Sequence, residues 1–362
     1  MHKNTDSIMD ISYIKEDVWM KKELLLGTLA LSLALGCAAA ADDTPFDRTA
    51  KYEDIVWATV ETTSGEEKEL KMDIFQAEDV TENSPVVVFV HGGAWWDDSY
   101  KLERERSGEW TSVEINTITD LVEEGVTVAT IGYRLSQEAP YPAQIYDCKG
   151  AVRYLRAHAD EYGIDPERIA SCGTSAGSHL ALLLAVTGDV EELEGETGGN
   201  LDQSSRVMAC VDFYGMTDII NLSTDLYDTP YNINAQEAYL QVDAYDSARS
   251  QLIGFNAEGQ GMGVLRAEQF NPDTEYKEYL ELVKMASPIY FVTTDDCPIF
   301  IGQGGKDGRV AVAQAQRFHQ LLIQANIEST LMIDSQAGHG GLGKLVQNGA
   351  KEFLRDQFGL TE

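Results

Sequence analysis

The sequence predicts an α/β protein built on an eight-stranded, mostly parallel sheet with helices on both faces. Short continuous apolar runs recur along the chain, and such runs are typical of strands buried on both faces. Helix-length segments separate these runs, an alternation typical of parallel sheets covered by helices. The 362 residues, 43% of them hydrophobic, suffice for one large core.

The strands follow from these runs in chain order. The segments "IVWATVET" and "KELKMDIFQ" alternate apolar and polar residues, which predicts an antiparallel pair at the start of the sheet. The third strand is predicted at "PVVVFV", residues 85–90, as a run buried on both faces. Five further strands are predicted at residues 126–133, 168–173, 207–215, 298–304 and 329–334.

Helices are predicted between these strands, and one segment interrupts the alternation. The predicted helices span residues 111–124, 142–162, 176–187, 310–325 and 342–358. Residues 222–286 form an insertion after the sixth strand and are rich in tyrosine and acidic residues. It is either a lid that offers aromatic faces to a ring-shaped ligand or a helical excursion that packs its own tyrosines. Residues 41–362 are predicted to form a single domain.

The first forty residues are assigned to a leader. Residues 20–40 contain two lysines, an apolar run and then small residues, which is the layout of a secretory signal peptide. Residues 1–19 are polar and acidic, so Met20 is the expected true start. Cleavage after Ala40 predicts a secreted or periplasmic protein without a membrane span, because the apolar run is short for a bilayer. The alternative is a lipoprotein anchored through Cys37.

Composition excludes some classes of partner. Asp and Glu number 60 against 27 Lys and Arg, a formal net charge of -33 that repels nucleic acid and anionic membranes and suits salty surroundings. The sequence contains no CxxC motif and no His/Cys cluster that would indicate a metal site. The cysteines beyond the leader are predicted to be free thiols, since two of them lie in apolar runs: Cys148, Cys172, Cys210 and Cys297.

Ser175 is the candidate nucleophile. The segment "GTSAG", residues 173–177, follows a predicted strand and precedes an apolar helix. In this context small neighbours allow a tight turn that exposes the serine hydroxyl, the nucleophile elbow. The alternative is an ordinary helix-capping serine. A serine hydroxyl is a poor nucleophile without a histidine base, which in turn needs a carboxylate.

Two later loops supply the base and the acid. Asp307 lies in "GQGGKDGRV" after the seventh strand, and His339 lies in "SQAGHGG" after the eighth. Loops at the carboxyl ends of parallel strands meet at one edge of the sheet, so these side chains are predicted to converge with Ser175. The chain order serine, aspartate, histidine is that of an α/β-hydrolase.

The segment "HGGAWW" supplies candidate donors for the oxygen that becomes negative during acyl transfer. It follows the third strand and places Gly92, Gly93 and Ala94 where backbone N–H groups can form an oxyanion hole. Ala176, directly after the serine, is the further predicted donor.

Two other titratable residues compete with this assignment. Asp218, after the sixth strand, is the rival of Asp307 for the role of acid. His179 lies one helical turn beyond Ser175 and is predicted to point along its helix rather than act as the base.

These motifs resemble the bifunctional feruloyl and acetylxylan esterase family, within the α/β-hydrolases similar to hormone-sensitive lipase. The resemblance covers residues 85–341 and is carried by "HGGAW", "GTSAGSHLA", "GQGGKD" and "AGHGG". It implies a triad of Ser175, Asp307 and His339, an oxyanion loop at residues 92–94, and no cofactor or metal. Ser178 stands where a glycine is usual, and the insertion looks enlarged, so the substrate stays open.

The predicted function is a secreted serine esterase for short-chain or aromatic acyl esters on plant polysaccharides, with small-molecule or oligosaccharide esters as substrates. A general carboxylesterase or lipase is the main alternative. A peptidase of the prolyl oligopeptidase type is a weaker one, because residues 42–84 are too short for a gating domain. A binding protein that kept the fold and lost catalysis is the third.

Overall fold

The structure is a computed structural model that describes residues 49–80, 82–96, 100–101, 113–188, 190–228 and 241–361. Every element given below belongs to the compact unit Phe46–Glu362. The predicted leader, including the alternative anchor Cys37, lies outside the described residues.

Eight strands form one sheet in the order β1-β2-β4-β3-β5-β6-β7-β8. The pairs β1–β2 and β2–β4 are antiparallel, whereas all the others are parallel. The predicted α/β-hydrolase sheet with its opening antiparallel pair is confirmed. The strands are β1 Tyr52–Glu61, β2 Glu67–Phe75, β3 Ser84–Val90, β4 Thr127–Ile131, β5 Ile164–Thr174, β6 Cys210–Phe213, β7 Ile299–Gly304 and β8 Ser329–Asp334.

Helices cover both faces of this sheet. The five predicted helices are confirmed with shorter bounds, and the one predicted at residues 142–162 is interrupted at His158. The helices are α1 Val113–Thr119, α2 Ala143–Ala157, α3 Ala159–Tyr162, α4 Ala176–Val186, α5 Leu222–Tyr227, α6 Ala248–Ile253, α7 Met262–Glu268, α8 Lys277–Met285, α9 Val312–Gln324 and α10 Lys344–Phe358. Short 3₁₀ turns occupy Asp120–Glu124, Glu191–Leu193 and Pro288–Tyr290.

The apolar runs are continuous because each central strand is buried on both faces. Every residue of β3 is buried, and its side chains alternate between two core clusters. Val88 belongs to the cluster that includes α2, α4 and α9, whereas Phe89 belongs to the cluster that includes α1 and α10. The parallel strands are therefore held between two layers of helices. Because they run in the same direction, their carboxyl ends lie at one edge of the sheet.

The insertion after β6 contains the four short helices α5 to α8, and residues 229–240 within it lie outside the description. The ring of Phe255 packs against Tyr276 and Tyr279 at centroid distances of 5.1 and 4.6 Å. Tyr227 and Tyr245 are exposed. Part of the tyrosine content therefore packs within the insertion itself, and a lid role stays a prediction.

The four cysteines beyond the leader are free, as predicted. Burial raises the pKa values of the Cys172 and Cys210 thiols, so both pack as small neutral side chains. In the part of the chain that the structure describes, no helix is long and apolar enough to cross a membrane, and no group of His, Cys, Asp or Glu could hold a metal ion.

Candidate active site

Ser175 lies at the turn between β5 and α4. Its backbone has φ 52° and ψ -119°, a conformation that costs energy for a residue with a Cβ. Its N–H donates to the carbonyl of Phe213 at 3.0 Å, which ties the turn to the end of β6. The side chain makes no helix-capping hydrogen bond, so the alternative of an ordinary capping serine fails.

The two glycines of the motif are required by close backbone approach. A Cβ on Gly173 would lie 2.5 Å from the carbonyl carbon of Gly177, and one on Gly177 would lie 2.1 Å from the carbonyl oxygen of Val90. Any side chain at either position would force α4 away from the sheet. The spacing of glycine around Ser175 therefore follows from the tight crossing of α4 over β3 and β5.

The structure brings Ser175, His339 and Asp307 together. Ser175 Oγ lies 2.8 Å from His339 Nε2, and His339 Nδ1 lies 2.8 Å from Asp307 Oδ2. The His339 side chain is 9% exposed and that of Asp307 is fully buried. A hydroxyl, an imidazole and a carboxylate thus form one hydrogen-bonded chain that opens to solvent at the serine end.

Four donors hold the carboxylate of Asp307. The backbone N–H groups of Arg309 and Val310 donate to Oδ1 at 2.8 and 2.9 Å. Oδ2 accepts from Gln303 Nε2 at 3.0 Å in addition to His339. The sequence prediction missed Gln303, although it stands in the same "GQGGKD" segment as Asp307.

The loops that carry the acid and the base pack directly on each other. A Cβ on Gly304, at the end of β7, would lie 1.9 Å from the carbonyl oxygen of Gly338. The N–H of Lys306 donates to the carbonyl of Ala337 at 2.9 Å. The distance between Asp307 and His339 is therefore set by backbone contacts as well as by their side chains.

The predicted oxyanion loop lies against the nucleophile. A Cβ on Gly92 would lie 3.5 Å from the Cβ of Ser175 and 2.9 Å from the carbonyl oxygen of Thr174. Gly93 and Ala94 have positive φ angles of 96° and 56°. Within the described residues, the N–H groups of Gly93, Ala94 and Ala176 make no hydrogen bond to the protein. Three backbone donors close to Ser175 are thus available to a ligand.

Tyr133 contacts His91, the residue before the oxyanion loop. Its hydroxyl donates to the carbonyl of His91 at 3.0 Å, and its ring stacks on the His91 ring at 4.4 Å. His91 Nδ1 in turn donates to the carbonyl of Gly92 at 2.8 Å. The histidine of the "HGG" segment thus shapes the loop and does not reach the serine hydroxyl.

His179 has a structural role. Its Nε2 donates to the carbonyl of Ala286 at 2.6 Å, and its ring makes an edge-to-face contact with the Trp95 ring at a centroid distance of 5.1 Å. Burial lowers the pKa of His179 to about 4, although the bond to the carbonyl opposes that shift. A neutral imidazole engaged with Ala286 is not available to Ser175.

The rival acid Asp218 faces away from the histidine. Its carboxylate accepts from Asn221 Nδ2 at 2.8 Å and lies 3.6 Å from the Arg317 guanidinium. Burial raises the pKa of this carboxyl, and Asn221 and Arg317 oppose the shift. Only Asp307, of the two candidates, contacts His339.

Comparison with known proteins places the chain in a family. Residues 72–322 match the BD-FAE family, more than two thirds of the chain. The chain belongs to the BD-FAE family. The matched range includes Ser175 and Asp307 and ends before His339, so the geometry alone connects the histidine to the matched residues.

Individual relatives agree with this BD-FAE assignment. Two are from Mycobacterium tuberculosis: the probable carboxylic ester hydrolase LipM, 29% identical over 68% of this chain and 47% of LipM, and the esterase LipQ, 26% identical over 79% and 59%. The chain spans about half the length of the curated relatives it matches. A truncated carbohydrate esterase from gut microbiota superposes with a TM-score of 0.66, at 26% identity over 88% of this chain and 99% of that one.

Proposed function

We propose that this BD-FAE family member is a serine esterase that hydrolyses carboxylic esters. The observation that carries the proposal is the hydrogen-bonded chain from Ser175 Oγ through His339 to the buried carboxylate of Asp307. The names of its relatives, which are ester hydrolases and a carbohydrate esterase, support the same reaction class.

The first half of the reaction transfers the acyl group to the enzyme. Ser175 Oγ attacks the ester carbonyl carbon while His339 Nε2 takes the hydroxyl proton. Asp307 holds Nδ1–H of the ring and stabilises the positive charge that develops on it. The carbonyl oxygen becomes negative and accepts hydrogen bonds from the free N–H groups of Gly93, Ala94 and Ala176. His339 then gives the proton to the departing alcohol oxygen, and the C–O bond breaks.

The second half releases the acid. A water molecule occupies the place of the alcohol, and His339 Nε2 takes one of its protons as the oxygen attacks the acyl-enzyme carbonyl. The same three N–H groups stabilise the second oxyanion. The bond to Ser175 Oγ breaks, the proton returns to Oγ, and the carboxylic acid leaves.

For the substrate, we favour acyl groups on a carbohydrate, with acetylated or feruloylated plant polysaccharide as the specific case. The resemblance in the sequence motifs and the gut-microbiota carbohydrate esterase support it. Export through the predicted leader would suit a polymer that cannot enter a cell. A general carboxylesterase is the second candidate, and the similarity of the chain to the probable carboxylic ester hydrolase LipM favours it.

Replacing the nucleophile tests the reaction. Ser175→Ala is expected to lower kcat for p-nitrophenyl acetate by about 10⁶-fold, because no other group can form the acyl-enzyme. Steady-state hydrolysis, with thermal melting to check the fold, measures the effect. The exposed turn residue Ser64 offers a matched control, and Ser64→Ala should leave kcat unchanged. A Ser175→Ala enzyme that turns over at the wild-type rate would refute the serine mechanism.

The substrate class is tested with matched esters. Release of acetate and ferulate from a defined xylo-oligosaccharide is compared with release from methyl ferulate and p-nitrophenyl acetate under the same conditions. A higher kcat/KM for the sugar-linked ester supports a carbohydrate esterase. Equal or lower values on the sugar support the general carboxylesterase instead.

A further inference from the structure

Tyr214 contacts the ring of His339 from the end of β6. The two ring centroids lie 4.8 Å apart with an interplanar angle of 61°, an edge-to-face contact. The backbone of Tyr214 has φ 50°, and its N–H donates to the carbonyl of Gly302 at 2.9 Å. A Cβ on Gly340 would lie 3.5 Å from the Tyr214 hydroxyl. That hydroxyl therefore also lies beside residues 335–343, the loop between β8 and α10 that carries His339 and is called the histidine loop below.

Glu114 is a fully buried carboxylate on α1 that contacts both Tyr214 and the histidine loop. Its Oε2 accepts from the Tyr214 hydroxyl at 3.3 Å, and its Oε1 accepts from the N–H of Leu342 at 2.8 Å. Within the described residues, no lysine or arginine pairs with it. A buried carboxylate without a cation is costly, so these two hydrogen bonds are its main compensation.

The histidine loop needs such an anchor because its own sequence gives it little restraint. Gly340 and Gly341 follow His339 with positive φ angles of 98° and 69°, and glycine has the largest backbone freedom of any residue. Asp307 contacts the imidazole only at Nδ1, and this one hydrogen bond does not fix the tilt of the ring about the line from Nδ1 to Oδ2. The Tyr214 edge and the Glu114 bond to Leu342 restrict the ring and the backbone that follows it.

We propose that Glu114 and Tyr214 are positioning residues that keep His339 Nε2 within hydrogen-bonding distance of Ser175 Oγ. This inference rests on the proposed function. The reacting atoms do not include either residue. Their contribution is to keep the imidazole aligned for proton transfer, where a displacement of about 1 Å can cost about 100-fold in rate.

Three variants test this role. Tyr214→Phe keeps the ring and loses the hydroxyl, and Glu114→Ala removes both hydrogen bonds. We expect kcat for p-nitrophenyl acetate to fall about 10- to 100-fold in each, with KM within about twofold of wild type. Glu114→Gln should retain most of kcat, because an amide can accept from Leu342 N–H and donate to the Tyr214 oxygen.

Thr127→Val provides the matched structural control. It removes the buried hydrogen bonds of the Thr127 hydroxyl with Gln76 and Ser84 at the start of β4, the strand end remote from the catalytic loops. It should lower the melting temperature and leave kcat per active site unchanged, with sites counted by the p-nitrophenol burst. A purely structural role for Glu114 and Tyr214 would give the same pattern in their variants and would overturn the proposal.

The outcomes separate this inference from the proposed function. If Ser175→Ala retains full activity, the proposed serine mechanism is wrong, and the positioning role that rests on it is wrong as well. If Ser175→Ala is inactive while Tyr214→Phe and Glu114→Ala keep the wild-type kcat, only the positioning role is wrong. Should Glu114→Ala fail to fold, Tyr214→Phe still decides, since it removes a single oxygen atom.

Discussion

Behind the nucleophile, Ser178 and Asp212 form a buried pair. Ser178 Oγ donates to Asp212 Oδ1 at 2.5 Å and accepts from the N–H of Phe213 at 2.9 Å, the residue whose carbonyl holds Ser175. Gly215 N–H also donates to Oδ1, whereas Oδ2 has no partner among the described residues. Burial raises the pKa of Asp212 to about 6, although Ser178 and Gly215 oppose that shift.

Asp212→Asn should therefore change how stability depends on pH. A raised pKa means that the folded state holds the Asp212 proton more tightly than the unfolded chain, so this carboxyl lowers stability as pH rises from about 4 to above 6. Asparagine resembles the protonated form and avoids that cost. We expect the variant to gain up to about 3 kcal/mol over wild type across this range.

Urea unfolding at a series of pH values measures the gain as the difference in unfolding free energy. Asp202→Asn provides the control, because it removes one carboxyl from an exposed position, where no burial cost is relieved. A constant difference between Asp212→Asn and wild type at every pH would show that Asp212 ionises in the folded state as it does in the unfolded chain.

Single residues differ in how far the sequence identifies them. Ser175, Asp307 and His339 were predictable because each lies in a loop after a strand whose direction is known, and such loops share one edge. Glu114 and Gln303 were not, because their contacts depend on how α1 docks and where a side chain on β7 turns. Hydrophobic periodicity carries no information on either.

At the level of elements, the crossing of α4 over the sheet depends on one helical glycine. The position that a Cβ on Gly177 would take is blocked by backbone atoms of Val90 and His91. Gly349 on α10 is also helical, but there the nearest atom is the Met332 sulfur at 2.5 Å, the flexible part of a side chain. The next nearest atoms to that Cβ belong to the Phe300 ring, at 3.2 and 3.4 Å, so the neighbours of Gly349 are side chains, whereas those of Gly177 are backbone.

The same substitution should thus have different effects at these two glycines. Gly177→Ala is expected to destabilise the fold by about 3 kcal/mol or more, since neither β3 nor the oxyanion loop can shift without losing contacts. Gly349→Ala should stay within about 1 kcal/mol of wild type, because the helix propensity of alanine offsets the displacement of Met332. Denaturant unfolding compares them. Similar losses at both sites would contradict this account of the crossing.

The regular elements were predictable where burial imposes a pattern, and less so elsewhere. Strands β3, β4, β6 and β7 are buried throughout and were visible as apolar runs. The short helices α5 to α8 were predicted only as an insertion. Helices of this length are not stable on their own, so tertiary packing rather than local sequence decides where they begin and end.

For the whole molecule, the charge balance has a physical consequence. Acidic residues outnumber basic ones by more than two to one, and the formal net charge is -33. Repulsion among these charges is stronger in the compact state than in the extended chain, so it lowers stability. Surface ion pairs such as Arg355 with Glu124 act in the opposite direction, but each contributes little in water.

Salt should consequently stabilise the protein. Between about 0.01 M and 1 M NaCl the Debye length falls from about 30 Å to about 3 Å, which screens the long-range repulsion that dominates at this charge. We expect the melting temperature to rise by about 5 °C over this range, with KCl giving the same result. The double variant Glu191→Gln and Glu192→Gln removes two exposed charges and should raise the low-salt melting temperature and reduce its dependence on salt. A melting temperature that falls as salt is added would mean that ion pairs, rather than net repulsion, dominate the electrostatics of the fold.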